Sequence, residues 1–140
     1  MMKTYVIGTD GSETAARAAK RAGDLAHATG ATVHVVCAFT RSTGSSIRVG
    51  SDEYLVTDLA MAEQIAEQQA STFRTLGVDA TSAAVDQKPA DALIAEAARL
   101  EAELIVVGNR RMQGVSRLLG SVANEVTHNA PCDVLVVKTV

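Results

Sequence analysis

Apolar residues recur along this chain in two alternating periods. Short apolar runs, Tyr5-Val6-Ile7, Val33 to Ala38, Leu104 to Val107 and Val134 to Val137, read as strands. A weaker, alternating run from Asp79 to Val85 reads as an edge strand. Between them lie stretches with helical spacing. The first, from about Ser12 to Thr29, carries Ala15, Ala18, Ala22, Leu25 and Ala26 on one stripe and stops at Gly30. Asp10 or Ser12 caps its start, and Glu13 suits its first turn. The second, about Asp52 to Leu76, aligns Leu55, Leu59, Ala62, Ala66, Ala70, Phe73 and Leu76. A third opens at Pro89 and runs to about Leu100, and a last short one runs from Ser121 to about Asn129.

Strand and helix therefore alternate, β-α-β-α-β-α-β-α-β. Such an order predicts a parallel sheet with helices on both faces, because each crossover must pass over the sheet. Val33 to Ala38 is apolar except for His34, as a strand covered on both faces should be. His34 is most simply structural. The segment Thr40 to Ser51, rich in Ser, Thr, Gly and Arg, is the best candidate for a mobile loop.

Composition narrows the picture further. The 140 residues are 47% hydrophobic but only 3% aromatic, so the core must be built from Ala, Val, Leu and Ile. One domain of this length buries about two-thirds of its unfolded surface. A net charge of −3 invites neither nucleic acid nor an anionic membrane. No apolar run reaches the ~20 residues of a membrane span, and Met1-Met2-Lys3 leads into a strand rather than a signal peptide, so a cytoplasmic location is expected. Cys37 and Cys132 follow no CxxC spacing and read as small apolar residues. The three histidines lie far apart and form no ligand cluster.

Two strands end in glycine and polar residues: the first in Gly8-Thr9-Asp10-Gly11-Ser12, the fourth in Gly108-Asn109-Arg110. In doubly wound sheets a ligand sits beyond the carboxyl ends of the strands where their order reverses. If these two strands are neighbours, Asp10 can accept hydrogen bonds from a ribose or a base. Gly120-Ser121-Val122, at a helix start, would then present N–H groups to a phosphate. Arg110, Arg111 and Arg117 fall between Gly108 and Gly120 with no acid among them, a local reversal of sign that favours an anion. An ordinary strand-to-helix loop would also contain glycine, and Asp10 would also serve as a cap. The chain has no GxxxxGK[ST] loop and no GxSxG elbow, and Asp10 lacks an evident acidic partner. Binding is better equipped than catalysis, and no catalytic residue is assigned.

Three segments together resemble the universal stress protein family: Val6-Ile7-Gly8-Thr9-Asp10-Gly11-Ser12; Leu104 to Gly108 with Leu118-Leu119-Gly120-Ser121-Val122; and Ala130-Pro131-Cys132-Asp133 with Val134 to Val137. The resemblance spans the full length as one domain. It implies a three-layer α/β fold, Rossmann-like, of the adenine nucleotide alpha hydrolase type: an open parallel five-stranded sheet of order 3-2-1-4-5, with strands 1 and 4 adjacent. It also implies a homodimer formed through strand 134–139, consistent with the need to cover an apolar edge. One branch of the family binds ATP through G-x-x-G, nine residues, then G-[S/T]. Gly108 matches the first glycine and Gly120-Ser121 the last pair. Arg111 stands in place of the second glycine, and only eight residues, 112–119, precede Gly120. Gln87 also replaces a frequent glycine. By similarity, Gly8, Thr9 and Asp10 would contact the adenosine part and Ala38 would lie near the base. Arg111 either supplies a guanidinium to phosphate or occupies the triphosphate site.

Three expectations follow. The first is a cytoplasmic stress-response protein that binds ATP or another adenine nucleotide, with or without magnesium, as a sensor input without efficient turnover. The second is a dimeric interaction module that does not bind ATP. The third, on fold analogy alone, is a slow ATP hydrolase or nucleotidyl-transfer enzyme.

Overall fold

The computed structural model describes residues 3–40, 51–109 and 119–139, with side chains from residue 58 onward in the second stretch. Nine elements alternate along it: β1 (Thr4–Gly8), α1 (Glu13–Thr29), β2 (Thr32–Phe39), α2 (Ser51–Thr75), β3 (Ala80–Asp86), α3 (Pro89–Leu100), β4 (Leu104–Asn109), α4 (Ser121–Asn129) and β5 (Asp133–Lys138). The strands form one parallel sheet in the order β3-β2-β1-β4-β5. The chain thus lays strands outward on one side of β1, then returns to the other side at β4. Register across the switch pairs Tyr5 with Leu104, Val6 with Ile105 and Ile7 with Val106.

Strand alternation splits the core into two layers. Ile7, Val33, Val35 and Val106 face α1 and α2, where Ala19, Ala22, Ala66, Ala70 and Phe73 meet them. Val6, Val36, Ile105 and Val107 face α3 and α4, against Ala92, Leu93, Ala97, Ala123 and Val126. With alanines on the helix faces, helices approach closely. A Cβ on Gly23 would lie 2.9 Å from a ring carbon of Phe73, so the α1–α2 contact needs a residue without one.

The local signals act largely as the sequence suggests. Gly30, at φ 78°, ends α1. Pro89 opens α3. Ser12, rather than Asp10, is the α1 cap, its Oγ accepting the Ala15 N–H at 3.1 Å. Leu76 departs from its expected place in the α2 stripe. The helix stops at Thr75, which turns Leu76 out to 62% exposure, while Val78 folds back into the core. β4 runs two residues further than its apolar run, because Gly108 and Asn109 continue the pairing with Val137 and Lys138 of β5. Leu55 and the segments 41–50 and 110–118 lie outside the described side chains and residues. Among the described residues, no helix is long and apolar enough to cross a membrane.

Candidate nucleotide site

The adjacency of β1 and β4 opens a cleft of about 540 Å³ beyond their carboxyl ends. Sites for small organic ligands fall in this size range. Three walls have different chemistry.

The first wall is the β1–α1 turn. Thr9 is buried, and its N–H donates to Val36 O at 2.9 Å, which carries the sheet one residue past the strand. Thr9 Oγ1 accepts the Gly11 N–H at 3.1 Å, and Asp10 Oδ1 accepts the Ser12 N–H at 2.9 Å. Gly11 turns the chain with φ +82°, a conformation that side chains rarely adopt. Successive side-chain-to-backbone bonds therefore fix Asp10 at the mouth of the cleft. Its carboxylate is the one charged group among the described lining residues. The Cys37 thiol is pushed up from its ordinary range, by burial first and then by the negative charge of Asp10, which keeps it protonated.

The second wall is the β4–α4 connection. Gly108 serves packing: a Cβ there would lie 3.0 Å from Thr139 Cγ2 and 3.2 Å from Ala18 Cβ. Asn109 is buried, and its Oδ1 accepts the Gly120 N–H at 3.0 Å. This bond joins the end of β4 to the start of α4. Its N-cap is Gly120, and among the described residues no side chain caps that helix. The first-turn N–H groups of Ser121, Val122 and Ala123 have no acceptor within the helix and stand at its positive end. All three residues line the cleft.

The third wall is apolar. Val36 and Ala38 of β2 face Pro89 and Leu93 of α3, with Val107 beside them. Gly8 lets Leu93 pack down, since a Cβ there would meet the Leu93 side chain at 3.3 Å. The arrangement offers an apolar wall for a ring, a carboxylate for hydroxyl donors and a helix N-terminus for an anion. Among the described residues no group of three His, Cys, Asp or Glu side chains gathers to hold a metal.

Gly8, Thr9, Asp10, Ala38, Gly108, Gly120, Ser121 and Val122, which the sequence singled out, all line this one cleft. Arg110, Arg111 and Arg117 lie outside the described residues. Sequence reasoning took Asn109 only as part of the polar end of the fourth strand and Pro89 only as a helix start, and did not single out Leu93. Asn109 carried a usable signal, a polar residue directly after an apolar strand whose side chain turns out to be buried. Leu93 carried none, because its helical spacing reads as core whether or not a cavity opens above it.

Comparison with known proteins gives the same architecture a kinship. The model of a group described as the universal stress protein family matches residues 1–138. The chain is 38% identical over 140 residues to the "universal stress protein in QAH/OAS sulfhydrylase 3'region" of Thermus aquaticus, covering 99% of this chain and 100% of that one. It is 34% identical to universal stress protein Rv1636 of Mycobacterium tuberculosis, covering 98% and 97%. A crystal structure of a universal stress protein in complex with cAMP superposes with a TM-score of 0.76 at 30% identity, covering 99% and 98%.

Proposed function

The chain belongs to the universal stress protein family, and from that premise we propose that it binds an adenine nucleotide in the β1–β4 cleft as a regulatory ligand. The observation that carries this reading is the opposition of Asp10 to the α4 N-terminus across one cleft whose third wall is apolar. The base fits against the apolar wall of Val36, Ala38, Pro89 and Leu93. The ribose hydroxyls donate to Asp10. The phosphate meets the N–H groups of Ser121 and Val122, where the helix end favours negative charge. The related protein solved with cAMP supports this ligand class.

AMP-type nucleotides, cyclic AMP included, fit better than ATP. Arg111 stands where the ATP-binding branch has its second glycine, and the following segment is one residue shorter than in that branch. A glycine admits phosphate to the backbone, and an arginine at that position adds a side chain that the ATP-binding motif does not carry. We assign no turnover to the site. In this reading the protein acts in the cytoplasm as a dimer through β5, whose Val134 to Val137 form an apolar edge strand. Titration calorimetry with ATP, ADP, AMP and cyclic AMP tests the proposal. Absence of both heat and thermal shift with all four rules it out. The altered loop specifically favours a second reading, an interaction module of the same fold without a nucleotide; nucleotide co-purifying with the protein excludes it.

A further inference from the structure

At the other end of the sheet lies a chain of polar side chains that the nucleotide site does not use. His34, near the start of β2, is only 5% exposed, yet both ring nitrogens are engaged. Nδ1 lies 2.7 Å from Thr81 Oγ1 on the edge strand β3, and Nε2 lies 2.9 Å from Glu96 Oε1 on α3. Glu96 is buried and is held by Arg99, whose Nε and Nη2 donate to its two oxygens at 2.9 Å each. Arg99, with burial opposing and His34 assisting, draws the Glu96 carboxyl down to about 2, so it is ionised at neutral pH.

With the imidazole in its neutral form, the direction of each bond is set. An ionised carboxylate only accepts, so Nε2 must carry the proton. In the neutral ring Nδ1 is then the acceptor, and the Thr81 hydroxyl donates to it. Thr81 itself is exposed. A surface hydroxyl donates to a buried imidazole, which donates to a fixed carboxylate: nucleophile, base and orienting group in series, within the reach that nucleophilic catalysis requires. A histidine needed only to fill space would not need a polar partner on each ring nitrogen, drawn from two other elements.

We propose that Thr81 is an activated acyl-acceptor site, which takes an acyl group from a small donor such as an acyl phosphate, a thioester or an aryl ester. Thr81 Oγ attacks the acyl carbon and forms the new ester bond, while its proton passes to His34 Nδ1. The bond from the acyl carbon to the leaving group breaks, and the leaving group departs with the electron pair. The His34 proton then goes to the leaving group or to water. Glu96 is a positioning residue: it holds the tautomer and offsets the charge on the imidazolium. None of Thr81, His34 and Glu96 lines the nucleotide cleft. The donor in this proposal is one that brings its own activation. The site is independent of the nucleotide reading.

The test uses the full chain with p-nitrophenyl acetate. The expected result is a burst of p-nitrophenolate equal to the protein present, with one acetyl group mapped to Thr81 by tandem mass spectrometry. Thr81→Val, nearly isosteric at an exposed position, abolishes the burst, and Thr81→Ser retains it. His34→Gln slows it by ~10²-fold or more, the size of a lost general base. Glu96→Gln slows it and Glu96→Asp restores most of the rate. Circular dichroism melts establish that each variant is folded. The proposal is overturned by no acetylation, by acetyl on lysine, cysteine or the N-terminus with Thr81 unmodified, or by a folded His34→Gln variant that acylates at the wild-type rate.

Discussion

Asn109 and Gly120 are eleven residues apart in sequence, and the Asn109 Oδ1 accepts the Gly120 N–H at 3.0 Å. One side chain from the end of β4 thereby sets where α4 begins, and with it the direction in which the first-turn N–H groups point. Asn109→Ala leaves the Gly120 N–H without this acceptor. The expected cost is ~1–3 kcal/mol of stability, read by urea denaturation. Adenine nucleotide affinity should fall as well, because the helix start loses its anchor.

Gly108→Ala should destabilise by ~1–3 kcal/mol through overpacking. The added Cβ would meet Thr139 Cγ2 and Ala18 Cβ at 3.0 and 3.2 Å, with the Thr14 carbonyl oxygen of α1 at 3.7 Å. The double variant Gly108→Ala with Thr139→Ser should recover part of the loss, since it removes the Cγ2 methyl at the shorter contact. Equal destabilisation in single and double variants would locate the constraint elsewhere.

Gly23→Ala sets two effects against each other. Replacing a mid-helix glycine gains ~0.5–1 kcal/mol. The new methyl, however, would lie 2.9 Å from the ring of buried Phe73, and overpacking of that kind costs ~1–3 kcal/mol. The clash should win, so a lower urea midpoint is expected. A raised midpoint would mean that α1 and α2 separate freely.

Much of this was legible along the chain. The two-period pattern is enough for the element order, because the runs that close near Gly8, Gly30, Gly77 and Gly108 are legible in the sequence, although β4 pairs on to Asn109 and α2 stops at Thr75. The placement of β1 beside β4 was not contained in the pattern: parallel strands separated by helices carry no local pairing signal, and only the family resemblance supplied it. Leu76 was misplaced because helical spacing continues through a residue that the backbone has already left. The His34–Glu96–Arg99 group escaped notice for a related reason. Residues 62 and 65 apart in sequence meet only once β2 and α3 are stacked, and a lone histidine in an apolar strand gives no hint of a partner.

Glu96 also makes acid stability a test of the fold. Held mainly by Arg99, its carboxyl sits at about 2 instead of the ordinary 4.5. A depressed native value means that the unfolded chain binds the proton more readily. The stabilisation is therefore complete above about pH 4.5 and is lost as pH falls toward 2. Glu96→Gln should lower stability at neutral pH and flatten the decline between those values. Urea midpoints measured across that range, for wild type and variant, provide the check.

The central claim is that Asp10 and the α4 N-terminus hold an adenine nucleotide between them. Titration calorimetry of cyclic AMP, AMP and ATP into the wild-type chain and Asp10→Ala tests it most directly. Saturable binding to the wild type is expected, with AMP-type ligands ahead of ATP, together with at least a tenfold loss in Asp10→Ala, corresponding to ~1.4 kcal/mol. Binding of equal strength to a folded Asp10→Ala protein, or no binding by the wild type, would contradict the account.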